Sequence, residues 1–115
     1  MRVKATFNFE AAHRLPHHPG KCKELHGHSY RLVVTVERPV VPETGMAIDF
    51  ADLKQIVRCF VVDPLDHTYV NDRIDNPTAE VMAAWIWNVL REPLAGLAEV
   101  ELWETRSCSV IYRGP

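Results

Sequence analysis

His26-Gly27-His28-Ser29-Tyr30-Arg31-Leu32-Val33-Val34-Thr35-Val36-Glu37 is the stretch whose reading decides the fold. From His26 the even positions carry His28, Tyr30, Leu32, Val34 and Val36, while Ser29, Arg31, Thr35 and Glu37 fall on odd ones. Successive side chains of a strand point to opposite faces, so this alternation predicts a β-strand with both histidines on one face. Upstream, Val3, Ala5, Phe7, Phe9, Ala11 and His13 alternate in the same way. If the two strands pair through the loop 14–25, His13, His26 and His28 share the loop end of one face. Three imidazoles with no second cysteine to close the set are the ligand pattern of a catalytic zinc, which keeps a position for water or substrate. For any one histidine alone, a hydrogen-bonded core or surface role would be the better reading. Three together favour the metal.

The rest of the chain follows from this pair outward. Pro39, Pro42 and Gly45 interrupt it, and Met46-Ala47-Ile48 reads as a short extended piece. Asp49 is the expected cap of a first helix, with Phe50, Leu53, Ile56, Val57, Phe60 and Val61 as its apolar stripe and Pro64 as its stop. Thr78, in Asn76-Pro77-Thr78, caps a second helix that buries Val81, Met82, Trp85, Ile86, Val89 and Leu90 before Pro93 and Gly96 end it. Strands over 99–105 and 107–113 close the chain. The order β-β-α-α-β-β, without a parallel crossover, predicts an α+β fold: a four-stranded antiparallel sheet with two helices on one face. Helices on one side of a largely apolar sheet leave surface that a second subunit would cover.

At 115 residues the chain is one domain, 1–115, and 47% hydrophobic residues suffice for a core. A net charge of −2 gives no electrostatic case for nucleic acid or an anionic membrane. No apolar run approaches the roughly 18 residues of a spanning helix. Met1-Arg2-Val3-Lys4 enters a strand directly, without the pattern of a signal peptide. Cys22, Cys59 and Cys108 cannot all pair and are expected as reduced thiols in the cytoplasm, the last two as packing residues.

Four further residues invite chemistry. Cys22 lies four residues before His26, with Lys21 and Lys23 beside it; it fits a thiolate base and a fourth metal ligand equally well. Asp66-His67 follows Pro64 in a loop, where the carboxylate could orient an imidazole that moves protons. Glu104 follows Val100 and Leu102 on an apolar face. It is either a strand end emerging into water or an acceptor aimed at a ligand's N–H groups.

Taken together the motifs resemble the 6-pyruvoyl-tetrahydropterin synthase family over nearly the whole chain. They are Phe9-Glu10-Ala11-Ala12-His13-Arg14-Leu15-Pro16, Cys22 with His26-Gly27-His28, Ile48-Asp49-Phe50 and Leu65-Asp66-His67, continuing with Asn76-Pro77-Thr78 and Glu80, Trp85-Ile86-Trp87, Glu104-Thr105 and Ile111-Tyr112-Arg113-Gly114. Three residues between Cys22 and His26 are most similar to the family's 6-carboxytetrahydropterin-forming branch, of queuosine biosynthesis. The resemblance implies the tunnelling fold, assembled into an oligomeric barrel (hexamer or tetramer) with active sites between subunits. It implies zinc on His13, His26 and His28, Cys22 as base with Asp66 and His67, and Glu104 with Thr105 on the pterin ring. Arg14, Lys21 and Lys23 are the candidates for holding a triphosphate. The implied reaction turns 7,8-dihydroneopterin triphosphate into 6-carboxy-5,6,7,8-tetrahydropterin, releasing acetaldehyde and triphosphate. Its rivals are triphosphate elimination to the pyruvoyl product and a non-catalytic zinc-binding assembly protein with a closed His3Cys site.

Overall fold

In the computed structural model, which describes residues 1–115, β1 (Arg2–His13) and β2 (His26–Glu37) pair antiparallel along their whole lengths. The register runs from Arg2 opposite Glu37 to His13 opposite His26, with Ala11 opposite His28. β2 pairs in turn with β4 (Leu97–Trp103), and β4 with β5 (Ser109–Tyr112), both antiparallel. One face of this sheet is the core: Phe7, Phe9, Tyr30, Leu32, Val34, Val100 and Leu102 are buried there. His13 continues the row of Phe7, Phe9 and Ala11, so the histidine end of the sheet is the end of the hydrophobic core.

The helical layer begins with α1 (Phe50–Val57), capped by Asp49, whose carboxylate accepts from the Ala51 N–H at 2.8 Å. It continues through a π turn, Arg58–Val62, into the short α2 (Asp63–Leu65). Pro64 therefore does not stop the helix. The wide turn, closed by the Asp63 N–H on the Arg58 carbonyl, removes the close i−4 carbonyl with which a proline ring would otherwise clash. Leu53, Val57 and Val61 are fully buried, whereas Phe50 and Phe60 of the expected stripe are exposed. The π turn shifts the phase of the stripe at Phe60, and Phe50 sits in the first turn beyond the sheet's cover. α3 (Ala79–Leu90) is capped by the Thr78 hydroxyl, which accepts from the Val81 N–H at 3.1 Å. Met82, Ile86 and Leu90 pack on the sheet, and Val81 points outward.

Three further expectations need correction. The sheet has five strands, in the order β3-β1-β2-β4-β5, because β3 (Thr68–Tyr69) pairs parallel with β1 at Ala11 and Ala12. Its approach is set by the His67 N–H, which donates to the Glu10 carbonyl at 2.6 Å. An edge strand has unpaired backbone groups, and β3 pairs with those at Ala11 and Ala12. The uncovered face of the sheet is polar, not apolar: Lys4, Thr6, Asn8, Glu10 and Arg31 are exposed on it, around the more sheltered Val33, Thr35 and Trp103. Finally, Cys59 and Cys108 are exposed, so neither is a packing residue; all three cysteines are free thiols. No helix is long and apolar enough to cross a membrane.

Candidate metal centre and its surroundings

The metal-ligating atoms of His13, His26 and His28 lie within 4.8 Å of one another. The β1–β2 register brings the rings together, and the surrounding backbone decides which nitrogens face inward. Nδ1 of His13 donates to the Pro77 carbonyl at 2.9 Å, and Nδ1 of His26 donates to the Glu24 carbonyl at 2.7 Å. A carbonyl only accepts, so both rings carry their proton on Nδ1 and present a bare Nε2 lone pair. These two Nε2 atoms stand 3.0 Å apart, and Nε2 of His28 is buried without any hydrogen-bond partner.

Burial favours the neutral form of two of the rings, His13 and His28. His13 is fully buried, and desolvation pulls its pKa below the ordinary 6.5, outweighing the opposing hydrogen bond to Pro77. His28 is shifted the same way, again chiefly by desolvation. Neutral imidazoles with lone pairs facing one another repel, and no donor on the chain relieves them; a cation between them does. A tetrahedral zinc, about 2.0–2.1 Å from each nitrogen, holds its ligand atoms roughly 3.4 Å apart, comparable with the 3.0 Å between His13 and His26. Carbonyls that fix the far nitrogen of each ring are the usual outer support of such a site. The donor set fits zinc. It also suits other imidazole-preferring divalent ions.

Glu104 sits just past the end of β4, not on it, in the turn to β5, where its N–H donates to the Cys108 carbonyl at 3.2 Å. Its Oε1 is 3.7 Å from Nε2 of His13 and 3.9 Å from Nε2 of His28. The carboxylate thus points back at the histidines, not into water. The Tyr30 hydroxyl lies 3.2 Å from Nδ1 of His13, and burial, seconded by Glu104, raises its pKa and holds the phenol protonated.

The other expected residues do not join this cluster. Cys22 is half-buried in a 3-10 turn, Lys21–Lys23, and its sulfur is not part of the donor group. Asp66 accepts from the Glu10 N–H at 2.9 Å and lies 3.0 Å from Nδ1 of His67. The Glu10 N–H, and after it His67, hold the Asp66 carboxyl below the usual carboxylate range. His67, at φ 59°, presents a side chain that is 79% exposed. It lines a cleft of about 470 Å³ together with Glu10, His28, Ser29 and Tyr69. Thr105 is exposed and lines a separate cleft with Arg31, Trp103 and Arg106. Arg14, Lys21 and Lys23 are all exposed on the loop after β1, which Asn71 ties down by hydrogen bonds to both backbone groups of Arg14.

Asn76-Pro77-Thr78 is legible in sequence as a helix start, but nothing there shows that the Pro77 carbonyl supports His13. Tyr30 is the next residue after His28 on the same strand face. That position was the available signal for its role.

Residues 2–115 match the family described as 6-pyruvoyl tetrahydropterin synthase. The chain is 46% identical to the 6-carboxy-5,6,7,8-tetrahydropterin synthase of Synechocystis, over 95% of this chain and 90% of that protein. It is 40% identical to the dihydroneopterin monophosphate aldolase of Pyrococcus furiosus, covering 90% and 89%. The solved structure of Caenorhabditis elegans 6-pyruvoyl tetrahydropterin synthase superposes with a TM-score of 0.91 at 27% identity, covering 100% of this chain and 96% of that one. With the family match spanning all but the first residue, this chain belongs to the 6-pyruvoyl tetrahydropterin synthase family.

Proposed function

We propose that the chain is a zinc-dependent lyase that converts 7,8-dihydroneopterin triphosphate to 6-carboxy-5,6,7,8-tetrahydropterin, with release of acetaldehyde and triphosphate, in the 7-deazaguanine route to queuosine. The observation that carries the reading is the trio of histidines whose metal-ligating atoms lie within 4.8 Å of one another at the end of the core, two of them with Nδ1 committed to carbonyls. The synthase named for the Synechocystis relative supports this choice of reaction.

Zinc on His13, His26 and His28 would act as a Lewis acid toward the side-chain hydroxyls of the substrate and make the adjacent protons more acidic. Cys22 would take one such proton; its absence from the donor group supports a base standing off the metal over a closed His3Cys site. His67, oriented by Asp66, would return or remove the second proton. Glu104 would accept from the pterin's ring N–H and exocyclic amine, with Thr105 beside it, and the loop cations Arg14, Lys21 and Lys23 would meet the triphosphate. One water enters the reaction and supplies the second carboxylate oxygen. The side-chain carbon next to the ring is oxidised, while the ring C=N is reduced and the carbon that loses triphosphate ends as the acetaldehyde methyl, so electrons balance within the substrate.

His67 is 79% exposed and lines an open cleft with His28 in a single chain. That openness supports a homo-oligomeric barrel, hexameric or tetrameric, in which neighbouring subunits complete each other's sites. The working compartment in this reading is the cytoplasm.

Product analysis by mass spectrometry tests the assignment, using zinc-loaded protein, dihydroneopterin triphosphate and Cys22→Ala alongside. Carboxytetrahydropterin plus acetaldehyde, lost in the variant, is the expected result. A pyruvoyl product would move the chain to the eliminating activity. Preferential cleavage of dihydroneopterin monophosphate would move it to the activity named for the Pyrococcus relative. No turnover with zinc tightly held would leave a non-catalytic zinc protein.

A further inference from the structure

The open face of the sheet carries a cleft that the histidine centre does not use. Asn8, Arg31 and Trp103 stand opposite one another on β1, β2 and β4, so their side chains cross that face as one row. Ser29, Thr105 and Arg106 complete the wall of the cleft, which measures about 400 Å³. No carboxylate lines it, and neither guanidinium belongs to an ion pair of the chain. The same face does hold acids, but they are placed elsewhere. Glu10 accepts from the Ser29 hydroxyl at 2.6 Å, Glu99 pairs with Arg113, and Glu101 forms no ion pair. A lone exposed arginine is ordinarily a mobile, solvated side chain. Arg31 is held: its guanidinium carbon lies 4.9 Å from the centre of the Trp103 ring, and stacking on an indole fixes the plane of the fork.

We propose that this cleft binds an oligophosphate, an anion with two or more linked phosphate groups. A guanidinium presents its N–H donors in a planar fork that matches two phosphate oxygens at once. Two forks in one cleft match a chain of phosphates better than a single one, and Asn8 and Thr105 add an amide and a hydroxyl donor. The Trp103 indole is a donor as well, and its N–H has no acceptor on the chain. Ser29 marks the boundary of the cleft. It gives its proton to Glu10, whose carboxylate belongs to the neighbouring cleft with His67. Ser29 lines both clefts, so an anion is repelled on the Glu10 side and held on the arginine side. A substrate's phosphate tail and a free oligophosphate present the same chemistry to these groups. The inference rests on side chains of the open face and stands apart from the metal reading.

Inorganic triphosphate is the probe, titrated calorimetrically into the zinc-loaded full chain, with zinc content measured afterwards because triphosphate itself binds zinc. The variants are Arg31→Gln, Arg106→Gln and Arg31→Lys. Arg2→Gln removes a cation at the other end of the sheet, and a triple variant, Arg14→Gln with Lys21→Gln and Lys23→Gln, removes the loop cations. Thermal transitions check that each variant folds. Arg31→Gln and Arg106→Gln should each weaken triphosphate at least about tenfold, the order expected for a lost charge-assisted hydrogen bond. Arg31→Lys should recover only part of that loss, because a point charge does not fork. Arg2→Gln should bind as the intact protein does. Full affinity in both cleft variants, or a loss confined to the triple loop variant, would overturn the proposal and leave phosphates to the loop. No binding by the intact protein would overturn it outright. Turnover of dihydroneopterin triphosphate then names the source. A raised KM in Arg31→Gln with kcat kept assigns the cleft to the substrate's tail; an unchanged KM, with calorimetric binding lost, assigns it to a free oligophosphate. Binding is read without turnover, so failure of the proposed reaction leaves the test of the cleft standing.

Discussion

Nδ1 of His13 donates to the Pro77 carbonyl at 2.9 Å, joining the last residue of β1 to the residue just before the cap of α3. The entry angle of a helix is thus a determinant of which His13 nitrogen faces His26 and His28. Thr78→Ala removes the hydroxyl that accepts from Val81 and should cost about 1 kcal/mol in stability. It should also weaken zinc, because the Pro77 carbonyl is released with the cap. Asp49→Ala removes an equivalent cap from α1 and should cost a similar amount with zinc affinity unchanged. Denaturant melts and chelator competition on the two variants decide the matter; equal metal affinities would sever the link between α3 and the site.

Metal-free protein should lose stability as pH falls below the ordinary histidine value of 6.5. Folding lowers the pKa of His13 and His28, mainly by desolvation, so the unfolded chain binds protons there first. Their contribution is complete above 6.5 and is lost as pH drops toward the depressed folded values, at a limiting slope of about 1.4 kcal/mol per pH unit per proton. Thermal transitions of chelator-treated protein between pH 7.5 and 5 measure it. A flat profile, or a rise toward acid, contradicts the neutral cluster.

Loading the same protein with zinc should raise the transition by mass action, about 2.7 kcal/mol when free zinc is 100 times Kd. His28→Ala should abolish most of the increment while leaving the metal-free transition nearly unchanged. An increment of full size in that variant would place the ion elsewhere.

Asp66→Asn and His67→Ala separate catalysis from construction. His67 is 79% exposed, so its truncation should change stability by no more than about 0.5 kcal/mol. Turnover should fall by about 10²–10⁴ if it moves a proton, with zinc affinity untouched. Asp66→Asn should retain part of the activity with a displaced pH profile, since an amide still accepts from the Glu10 N–H but no longer stabilises a charged His67. Loss of zinc in either variant would assign the pair a structural role.

Two glycines with positive φ should respond very differently to alanine. Gly96 (φ 85°) joins α3 to β4, and a Cβ there would meet the backbone carbonyl of Glu37, the last residue of β2, at 2.6 Å. Gly45 (φ 70°) has nothing within 4 Å of its Cβ position. Gly45→Ala should cost about 1–2 kcal/mol from the left-handed backbone alone. Gly96→Ala should cost at least twice that, read from chemical denaturation. Comparable costs would mean that the β2–β4 end yields more easily than its packing indicates.

Much of this molecule is written locally. The alternation of 2–13 and 26–37 is enough for β1 and β2, and Asp49 and Thr78 mark their helices because a cap is chosen by the residue beside the helix itself. Where the reading departs from the structure, distant groups are responsible. Pro64 continues a helix because the π turn just before it, Arg58–Val62, opens the backbone. Thr68 and Tyr69 become a strand only because the edge of β1 offers them partners. Phe50 and Phe60 have the spacing of a buried stripe, yet exposure is settled by where the sheet ends.

The site divides along the same line. That His13, His26 and His28 share one end of one face follows from the period of two in a strand and the pairing of consecutive strands, and both are properties of the sequence alone. Which nitrogen each ring offers does not follow from it. Pro77 is 64 residues from His13 along the chain, and Glu104 comes within 4 Å of the cluster only when β4 has paired with β2. Side-chain type and spacing can gather ligands on a strand, but the free lone pair and the charge facing it are decided by carbonyls and carboxylates that only the folded chain brings near.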